Sequence, residues 1–281
     1  MKSPRRASLD EIRGFYAKQM ACASNSIDPR LERIFELVPR EAFVPPGPWR
    51  VMIGDNYVDT PSDDPLYLYQ NVLIALDPNK RVNNGEPLLH ARWIGAVTPQ
   101  ADQTVTHIGA GTGYYSAILS MLVLPRGSLT AYEIDEELAE AARRNLEPFE
   151  NATVIAGDAV STAVPLSDVI YVNAGVFAPP EQWLNALRPA GRMIFPWRPA
   201  PTIGLAAIIS RVAAGFSFEP VMAAWFIPCA GALVAAADDV APDSDGAWRT
   251  RSVRFRRDEA PDKSATAIYR DTWFSADPLP N

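Results

Sequence analysis

The clearest chemical signal in the sequence is a glycine-rich segment near the middle of the chain. Residues 109–113 read Gly-Ala-Gly-Thr-Gly and lie between a short apolar run, Val105 to Ile108, and a predicted helix over Tyr114 to Leu124. Glycine permits a tight turn and lets the backbone approach a ligand closely. The N-terminus of the following helix offers N–H groups to an anion or a carboxylate. The segment therefore predicts a ligand site, although an ordinary strand-to-helix turn can have the same composition.

Two acidic residues lie at the ends of the next two predicted strands. Glu133 ends a strand that begins at Leu129, and Asp158 follows a strand over Thr153 to Ala156. Ligands bind at the carboxyl edge of a parallel sheet, so both acids should lie beside the glycine segment. There Glu133 would accept hydrogen bonds from ribose hydroxyls, and Asp158 would accept one from the amino group of an adenine ring. Each acid taken alone is more often a helix cap or a solvated loop residue.

Two cofactors, NAD and S-adenosylmethionine (SAM), fit this arrangement of loop, ribose acid and adenine acid. The glycine spacing is G-x-G-x-G, which lacks the extra residue of the dinucleotide pattern G-x-G-x-x-G. The sheet is also predicted to end in an antiparallel hairpin, Leu205 to Val212 and Phe218 to Phe226, as in a methyltransferase. Both observations favour SAM. The predicted cofactor-binding residues are His107, Gly109, Ala110, Gly111, Thr112, Gly113, Glu133, Ile134, Asp158 and Ala159.

The elements that must position these residues alternate between strands and helices. Strands are predicted over Val105–Ile108, Leu129–Glu133, Thr153–Ala156, Val169–Val172 and Arg192–Phe195. Helices are predicted over Tyr114–Leu124, Glu136–Asn145 and Pro180–Leu187. Such alternation implies a parallel sheet with helices on both faces. The predicted fold class is α/β, a Rossmann-like and mostly parallel seven-stranded sheet with a terminal antiparallel hairpin.

The segments that flank this sheet are predicted from caps and charge. Three helices precede it: one with a capping box of Ser8 and Glu11, one after Asp28-Pro29, and one after Pro87. Residues 43–65 hold many turn-formers and are predicted to wrap the surface.

After the sheet, an acidic loop with Asp243 leads to an arginine-rich strand over Arg249 to Arg257 and a second strand over Ala267 to Phe274. We favour a hairpin packed on the core; a basic strip for an acidic partner is the alternative. The predicted division is 1–80 (N-terminal helices and wrapping segment), 81–232 (SAM-binding core) and 233–281 (C-terminal extension).

Composition limits the classes of partner. The 281 residues carry a net charge of −7, and the field of an acidic chain repels nucleic-acid phosphates. Two distant cysteines fit a reducing compartment, two histidines are too few for a histidine-rich metal site, and no apolar core follows residues 1–6 as in a signal peptide. The uncharged stretch 220–237 is interrupted by proline and glycine. We expect a cytoplasmic protein with no metal site, no nucleic-acid partner and no membrane span.

Four segments of the chain resemble the protein-L-isoaspartate O-methyltransferase family, over about Leu9 to Gly231. They are residues 38–45 (VPREAFVP, the N-terminal signature), 107–114 (HIGAGTGY, the SAM loop), 168–175 (DVIYVNAG, the acceptor strand) and 187–196 (LRPAGRMIFP). The resemblance implies methyl transfer from SAM to the carboxylate of an L-isoaspartyl residue in a protein or peptide. The ester then cyclises to a succinimide, which can reopen to normal aspartate.

This chemistry explains why the sequence contains no recognisable acid–base set. A carboxylate is already ionised at neutral pH and attacks the sulfonium methyl without a general base. Catalysis then depends on alignment and on desolvation of the acceptor oxygen. No residue is therefore assigned as catalytic with certainty.

The sequence departs from the family at the acceptor loop. The family has T-I-S-x-P before a helix, and its serine contacts the acceptor carboxylate; with the proline aligned to Pro87, that serine becomes Gly85. Asn83 and Asn84 replace the threonine and isoleucine, and Asn173 replaces a threonine of the acceptor strand. These four positions, Asn83, Asn84, Gly85 and Asn173, are predicted to position the acceptor.

A further departure lies beside the SAM loop, and it leaves two alternatives open. His107 replaces an acid that in the family lies near the methionine part of SAM. The same SAM site could serve another acceptor, such as a small-molecule carboxylate, a hydroxyl or an amine, as Gly85 suggests. Alternatively, the chain could bind SAM with little catalysis, as His107 suggests. The sequence does not indicate the oligomeric state.

Overall fold

The computed structural model describes residues 7–54, 56–77, 79–80, 82–229 and 238–280. The α-helices in these ranges are α1 (Leu9–Ser24), α2 (Arg30–Leu37), α3 (Pro87–Val97), α4 (Tyr114–Leu122), α5 (Glu136–Leu146), α6 (Glu181–Asn185) and α7 (Ser244–Arg249). The strands are β1 (Arg50–Ile53), β2 (Asn56–Asp59), β3 (Leu73–Asp77), β4 (Val82–Asn83), β5 (Thr104–Ile108), β6 (Ser128–Glu133), β7 (Ala152–Ala156), β8 (Ser167–Val172), β9 (Leu187–Ala200), β10 (Ile203–Val212), β11 (Gly215–Ala223), β12 (Ser252–Phe255), β13 (Ala265–Ile268) and β14 (Thr272–Ser275).

The central sheet has the order β13-β14-β12-β11-β10-β9-β8-β5-β6-β7. Strands β9, β8, β5, β6 and β7 pair in parallel, whereas β10 and β11 form an antiparallel hairpin beside β9. The predicted seven-stranded arrangement, parallel with a terminal hairpin, is therefore confirmed within a larger sheet.

Helices cover both faces of the parallel part. Along β8, Val169 and Tyr171 belong to a buried cluster that includes Ile118 of α4. The intervening Ile170 belongs to a second cluster, which includes Trp183 of α6. Alternate residues of one strand thus face two separate cores, as the period of a strand requires.

Helix α1 begins as its cap predicts, whereas α2 begins one residue later than expected, at Arg30, with Pro29 rather than Asp28 as its N-cap. Ser8 and Glu11 form the reciprocal capping box of α1. The carboxylate of Asp28 accepts a hydrogen bond from the Arg30 N–H (2.9 Å) just ahead of α2, and Pro87 is the first residue of α3. No helix among the described residues is long and apolar enough to cross a membrane.

The segment predicted to wrap the surface contains two strands that the sequence analysis missed. Strands β1 and β2 pair with β3 and β4 in a small antiparallel sheet of order β2-β1-β3-β4. Its strands are only two to five residues long and lie between turn-formers, so no period-2 pattern is long enough to predict them.

Two boundaries near the end of the core differ from the prediction. Leu187 pairs with Ser167 and so begins β9, which leaves α6 shorter than the predicted helix. Strand β9 extends to Ala200, well beyond the predicted Arg192–Phe195.

In the C-terminal extension the two predicted strands pair antiparallel, as β12 with β14, but the extension contains more than a hairpin. The acidic loop contains helix α7, because the Asp243 carboxylate accepts a hydrogen bond from the Gly246 N–H (2.6 Å). The predicted strand over Ala267 to Phe274 is two strands, since a turn closed by the Tyr269 N–H and the Thr272 carbonyl (2.8 Å) divides it. Strands β12, β14 and β13 then continue the central sheet beyond β11. The boundary predicted at 232–233 lies outside the described residues, and the three-part division stays a prediction.

Candidate functional site

A cavity of about 360 Å³ opens at the carboxyl ends of strands β5, β6 and β7. Ligands bind at this edge of parallel α/β sheets. One side, which we call the cofactor half, consists of Gly109–Thr112, Glu133, Ile134, Asp158 and Ala159. The opposite side, the acceptor half, consists of Asn83–Glu86, His90 and Trp225–Cys229. Asn173 also lines the cavity; of the predicted site residues, only His107 and Gly113 do not.

The glycine segment shapes the wall of the cofactor half through its backbone. Gly109, Gly111 and Gly113 have φ values of +77°, +56° and +96°, which favour glycine. The N–H groups of Gly109 and Ala110 donate to the Tyr132 carbonyl (2.9 and 3.0 Å). These two N–H groups are therefore used within the protein and are not available to a ligand.

Glu133 is a buried carboxylate held by the backbone. It is 8% exposed, and its oxygens accept hydrogen bonds from the Gly111 N–H (2.7 Å) and the Asp135 N–H (3.0 Å). Burial raises its pKa above the usual range of a glutamate. A carboxylate oxygen can accept more than one hydrogen bond, so both oxygens of Glu133 can also accept hydrogen bonds from ligand hydroxyls.

Asp158 lies across the cofactor half from the glycine segment. Its Oδ1 accepts a hydrogen bond from the Val160 N–H (2.8 Å), which fixes the carboxylate at the end of β7. Together with Glu133 it places two acceptors on one wall, as the sequence predicts for a ribose and an adenine.

His107 lies beneath the cavity and does not reach it. Its ring is fully buried, and its two nitrogens contact Ser116 Oγ (2.7 Å) and Asn173 Nδ2 (2.9 Å). Burial lowers its pKa to about 3, so the ring is neutral. The prediction that His107 contacts the cofactor is therefore not supported, because another side chain covers it.

The acceptor half is built from the turn between β4 and α3. Asn83 Oδ1 accepts a hydrogen bond from the Gly85 N–H (3.0 Å), and Asn84 Oδ1 accepts one from the Ile74 N–H (2.9 Å). The amide nitrogen of Asn84 is buried and unpaired among the described residues. The turn therefore contains a buried unpaired donor beside the cavity, although no hydroxyl is available at Gly85.

His90 is a cavity residue that the sequence analysis missed. Its Nδ1 contacts the Tyr171 hydroxyl (2.9 Å), and its ring stacks on Tyr115 with centroids 3.8 Å apart. A Cβ added at Gly85, where φ is +75°, would lie 2.3 Å from His90 Nε2. His90 thus occupies the space that a side chain at residue 85 would require. The sequence placed His90 in the first turn of the helix that follows the predicted acceptor positions, and this could have marked it as a site residue.

All the ionised groups that line the described part of the cavity are acids. They are Glu86, Glu133, Asp135 and Asp158. No lysine or arginine is among the described lining residues; Lys80 contacts Asp135 (2.5 Å) outside the cavity. The cavity therefore favours a ligand with a positive charge.

The family model for protein-L-isoaspartate(D-aspartate) O-methyltransferase matches residues 26–233. The chain belongs to this family. A Thermotoga maritima protein-L-isoaspartate O-methyltransferase is 30% identical over 60% of this chain and 51% of its own length, so the chain spans about half of that relative. An Archaeoglobus fulgidus protein-L-isoaspartate O-methyltransferase 1 is 31% identical over 67% of this chain and 80% of its own length.

Solved structures show the same fold. A protein-L-isoaspartate O-methyltransferase aligns with a TM-score of 0.67 and 19% identity, over 96% of this chain and 88% of that structure. A structure of a protein-L-isoaspartate O-methyltransferase from Plasmodium falciparum, in complex with S-adenosyl-L-homocysteine, aligns with a TM-score of 0.61 and 14% identity. The alignment covers 78% of this chain and 98% of that structure. The predicted Rossmann-like methyltransferase fold is confirmed.

The cavity fits SAM by its own chemistry. The buried Glu133 carboxylate has capacity for ribose hydroxyls, and the buried Oδ1 of Asn173 has no partner among the described residues. The acidic lining suits a sulfonium cation. By contrast, the Trp225–Cys229 wall carries none of the four family segments. The sequence analysis placed Trp225 and Phe226 in the predicted strand Phe218–Phe226, but β11 ends at Ala223 and both residues follow it.

Proposed function

We propose that this chain transfers the methyl group of SAM to a carboxylate of a protein or peptide, with an L-isoaspartyl residue as the acceptor. Family membership supports the reaction class. The observation that carries the proposal is the single cavity in which the cofactor half faces the acceptor half. A cofactor bound in the cofactor half would therefore lie next to an acceptor bound in the acceptor half.

The cofactor half has the groups to hold SAM. Glu133 accepts from the ribose and Asp158 from the adenine amino group, while the glycine backbone leaves room for the methionine part. SAM supplies a methyl group activated by its sulfonium charge. Because the described cavity has only acidic ionised groups, it stabilises that charge when the cofactor binds.

The acceptor half has the groups to orient a carboxylate that is already ionised. Asn84 Nδ2 is a buried donor without a partner among the described residues, and hydrogen bonds to a carboxylate are strong in such a site. Burial keeps the pKa of His90 well below its usual value, so it is a neutral group at physiological pH. Alignment of the oxygen with the methyl group, rather than removal of a proton, is what these residues provide.

A second candidate acceptor is an amine or a hydroxyl. It is favoured by the glycine at residue 85, which supplies no side-chain donor, and by the acidic lining near Glu86. An anionic acceptor gains no ion pair from any described lining residue.

The deciding experiment compares methyl transfer from labelled SAM to an isoaspartyl peptide and to its aspartyl twin. We expect transfer to the isoaspartyl peptide alone, with label released as methanol in mild base, because methyl esters hydrolyse there. Base-stable label on a peptide amine or hydroxyl would instead establish the second candidate. No transfer to any of these peptides would refute a peptide acceptor.

We also propose that the protein works in the cytoplasm, without nucleic-acid or membrane partners. The two cysteines, Cys22 and Cys229, are not joined in a disulfide. Reduced cysteines are typical of that compartment. We propose in addition that the chain divides into three parts, with boundaries after residues 80 and 232.

A further inference from the structure

Two side chains that distinguish this sequence from its family, His107 and Asn173, form one hydrogen-bonded unit. Asn173 Nδ2 donates to His107 Nε2 at 2.9 Å, and His107 Nδ1 lies 2.7 Å from Ser116 Oγ. His107 and Ser116 are both fully buried. The unit therefore begins inside the core and ends at Asn173 on the cavity wall.

The protons of this unit determine which amide atom of Asn173 is left without a partner. Because burial keeps the His107 ring neutral, it carries one N–H. Its Nε2 accepts from Asn173, so the proton is on Nδ1 and is donated to Ser116 Oγ. This arrangement fixes the Asn173 amide with its nitrogen toward the core. Its Oδ1 is left buried and without a partner among the described residues.

An unpaired buried oxygen calls for a donor, since leaving it unsatisfied costs free energy. The donor must come from a ligand at the place where Asn173 meets the glycine segment. A Cβ built at Gly109 would lie 3.4–3.6 Å from Asn173 atoms, so the two residues are in contact. In the proposed binding mode, the amino-acid part of SAM, which carries an ammonium group, lies beside Gly109.

We propose that Asn173 Oδ1 accepts a hydrogen bond from the α-ammonium of SAM, and that His107 is the positioning residue that orients the amide. This inference rests on the proposed use of SAM. It assigns Asn173 to the cofactor, whereas the sequence placed it with the acceptor. It also gives His107 a function through Asn173 rather than through direct contact.

The test measures binding of two ligands by calorimetry. S-adenosylhomocysteine has the α-ammonium, whereas 5′-methylthioadenosine keeps the adenosine and the sulfur but lacks the amino-acid part. For Asn173→Ala we expect S-adenosylhomocysteine to bind about tenfold more weakly, as for a lost hydrogen bond to a charged group. The affinity for 5′-methylthioadenosine should stay the same. Asn185→Ala, an exposed asparagine on α6, is the matched control and should change neither affinity.

Two further variants test the orientation of the amide. Asn173→Asp keeps an oxygen at the cavity and should retain S-adenosylhomocysteine affinity; a tenfold loss would show that an N–H faces the ligand and would overturn the proposal. His107→Ala frees the amide and should weaken S-adenosylhomocysteine alone. A purely structural role would weaken both ligands equally, and that result would also overturn it.

The remaining outcomes separate this inference from the proposed function. If the unaltered protein binds neither ligand, the use of SAM is refuted and the inference falls with it. If it binds both and Asn173→Ala raises only the peptide KM, Asn173 serves the acceptor and the inference alone is refuted. If Asn173→Ala does not fold, Asn173→Asp and His107→Ala still decide the question.

Discussion

The two halves of the cavity are built in different ways. The cofactor half lies at the ends of the parallel strands β5, β6 and β7, where each short turn is fixed by neighbouring strands. The acceptor half is formed by a turn ahead of α3 and by the chain that leaves β11. The first is dictated by the regular sheet, whereas the second depends on connections that can change without altering the sheet.

The polar groups of the halves differ accordingly. The cofactor half has two carboxylates in backbone hydrogen bonds, Glu133 and Asp158. The acceptor half presents the neutral amides of Asn83 and Asn84 beside a neutral imidazole, His90. The departures from the family at Asn83, Asn84 and Gly85 all lie in this acceptor turn, whereas Glu133 and Asp158 keep the two acids predicted for the cofactor.

The comparison predicts its largest effect at Glu133. Glu133→Ala removes the ribose acceptor and also releases the Gly111 N–H, so we expect about a 100-fold loss of S-adenosylhomocysteine affinity. Calorimetry measures it, with the exposed Glu137→Gln on the next helix as the control. An affinity within threefold of the unaltered protein would show that the ribose lies elsewhere.

Each half of the cavity has a buried neutral histidine beside it, His107 at the cofactor half and His90 at the acceptor half. We therefore expect the free energy of unfolding to fall in acid. The folded-state pKa of His107 is about 3, below its unfolded value, so only the unfolded state takes up a proton as the pH falls from about 6.5 toward 3. This linkage lowers the free energy of unfolding by roughly 2 kcal/mol between about pH 7 and 5. Urea unfolding across that range measures it.

His107→Gln and His90→Gln separate the contributions of the two halves. Each should flatten the pH dependence of the free energy of unfolding, because the pKa of His90 is also lowered by burial. A profile as steep as that of the unaltered protein in both variants would contradict the assignment of neutral rings.

The acceptor half should respond to Gly85→Ser without any change in the cofactor half. Serine at φ +75° and 2.3 Å from His90 Nε2 displaces the turn, so restoring the family's residue should lower kcat/KM for the peptide about tenfold. S-adenosylhomocysteine affinity should stay the same. Gly54→Ser is the matched control, because Gly54 has φ +60° and open space around its Cβ. A gain in activity would show that the turn adapts.

The smallest effect is expected at the rim of the acceptor half. Trp225 is 60% exposed beside the cavity, and Trp225→Ala should raise the peptide KM about threefold by removing a partly exposed contact. Steady-state kinetics measures it. Trp248→Ala, a 44% exposed tryptophan on α7, should leave the KM unchanged. Equal effects of the two would mean that the rim does not contact the peptide.

The sequence predicts the cofactor half well because its signals are local. A glycine segment after an apolar run, and an acid at each following strand end, are enough to place Gly109, Glu133 and Asp158 on one edge. The position of His107 depends instead on Asn173, 66 residues away, and its withdrawal from the cavity could not be read from either residue alone. The same is true of Gly85 and His90, whose close approach exists only in the folded chain.

The flanking sheets were harder to predict for a related reason. Strands β1 and β2 are four residues long and lie among prolines and glycines. In the extension, the turn at Tyr269 has no glycine or proline to mark it. Several arginines there contact acids, such as Arg254 with Glu259 (2.6 Å) and Arg257 with Glu181, which leaves less of a basic strip than the sequence suggests.

The added strands have a consequence for local opening of the chain. In the described residues, β12 pairs with β11 at Phe216 and Ser217, and the Phe218 N–H donates to the Arg251 carbonyl (2.7 Å). Strand β11 is therefore held on both sides where it begins and by β10 alone where it ends. Pro220 lacks an N–H and weakens the far end further. Amide hydrogens from Val221 to Ala223 should therefore exchange with solvent sooner than those near Phe216. The chain that forms the acceptor wall thus leaves the sheet at the less protected end of β11.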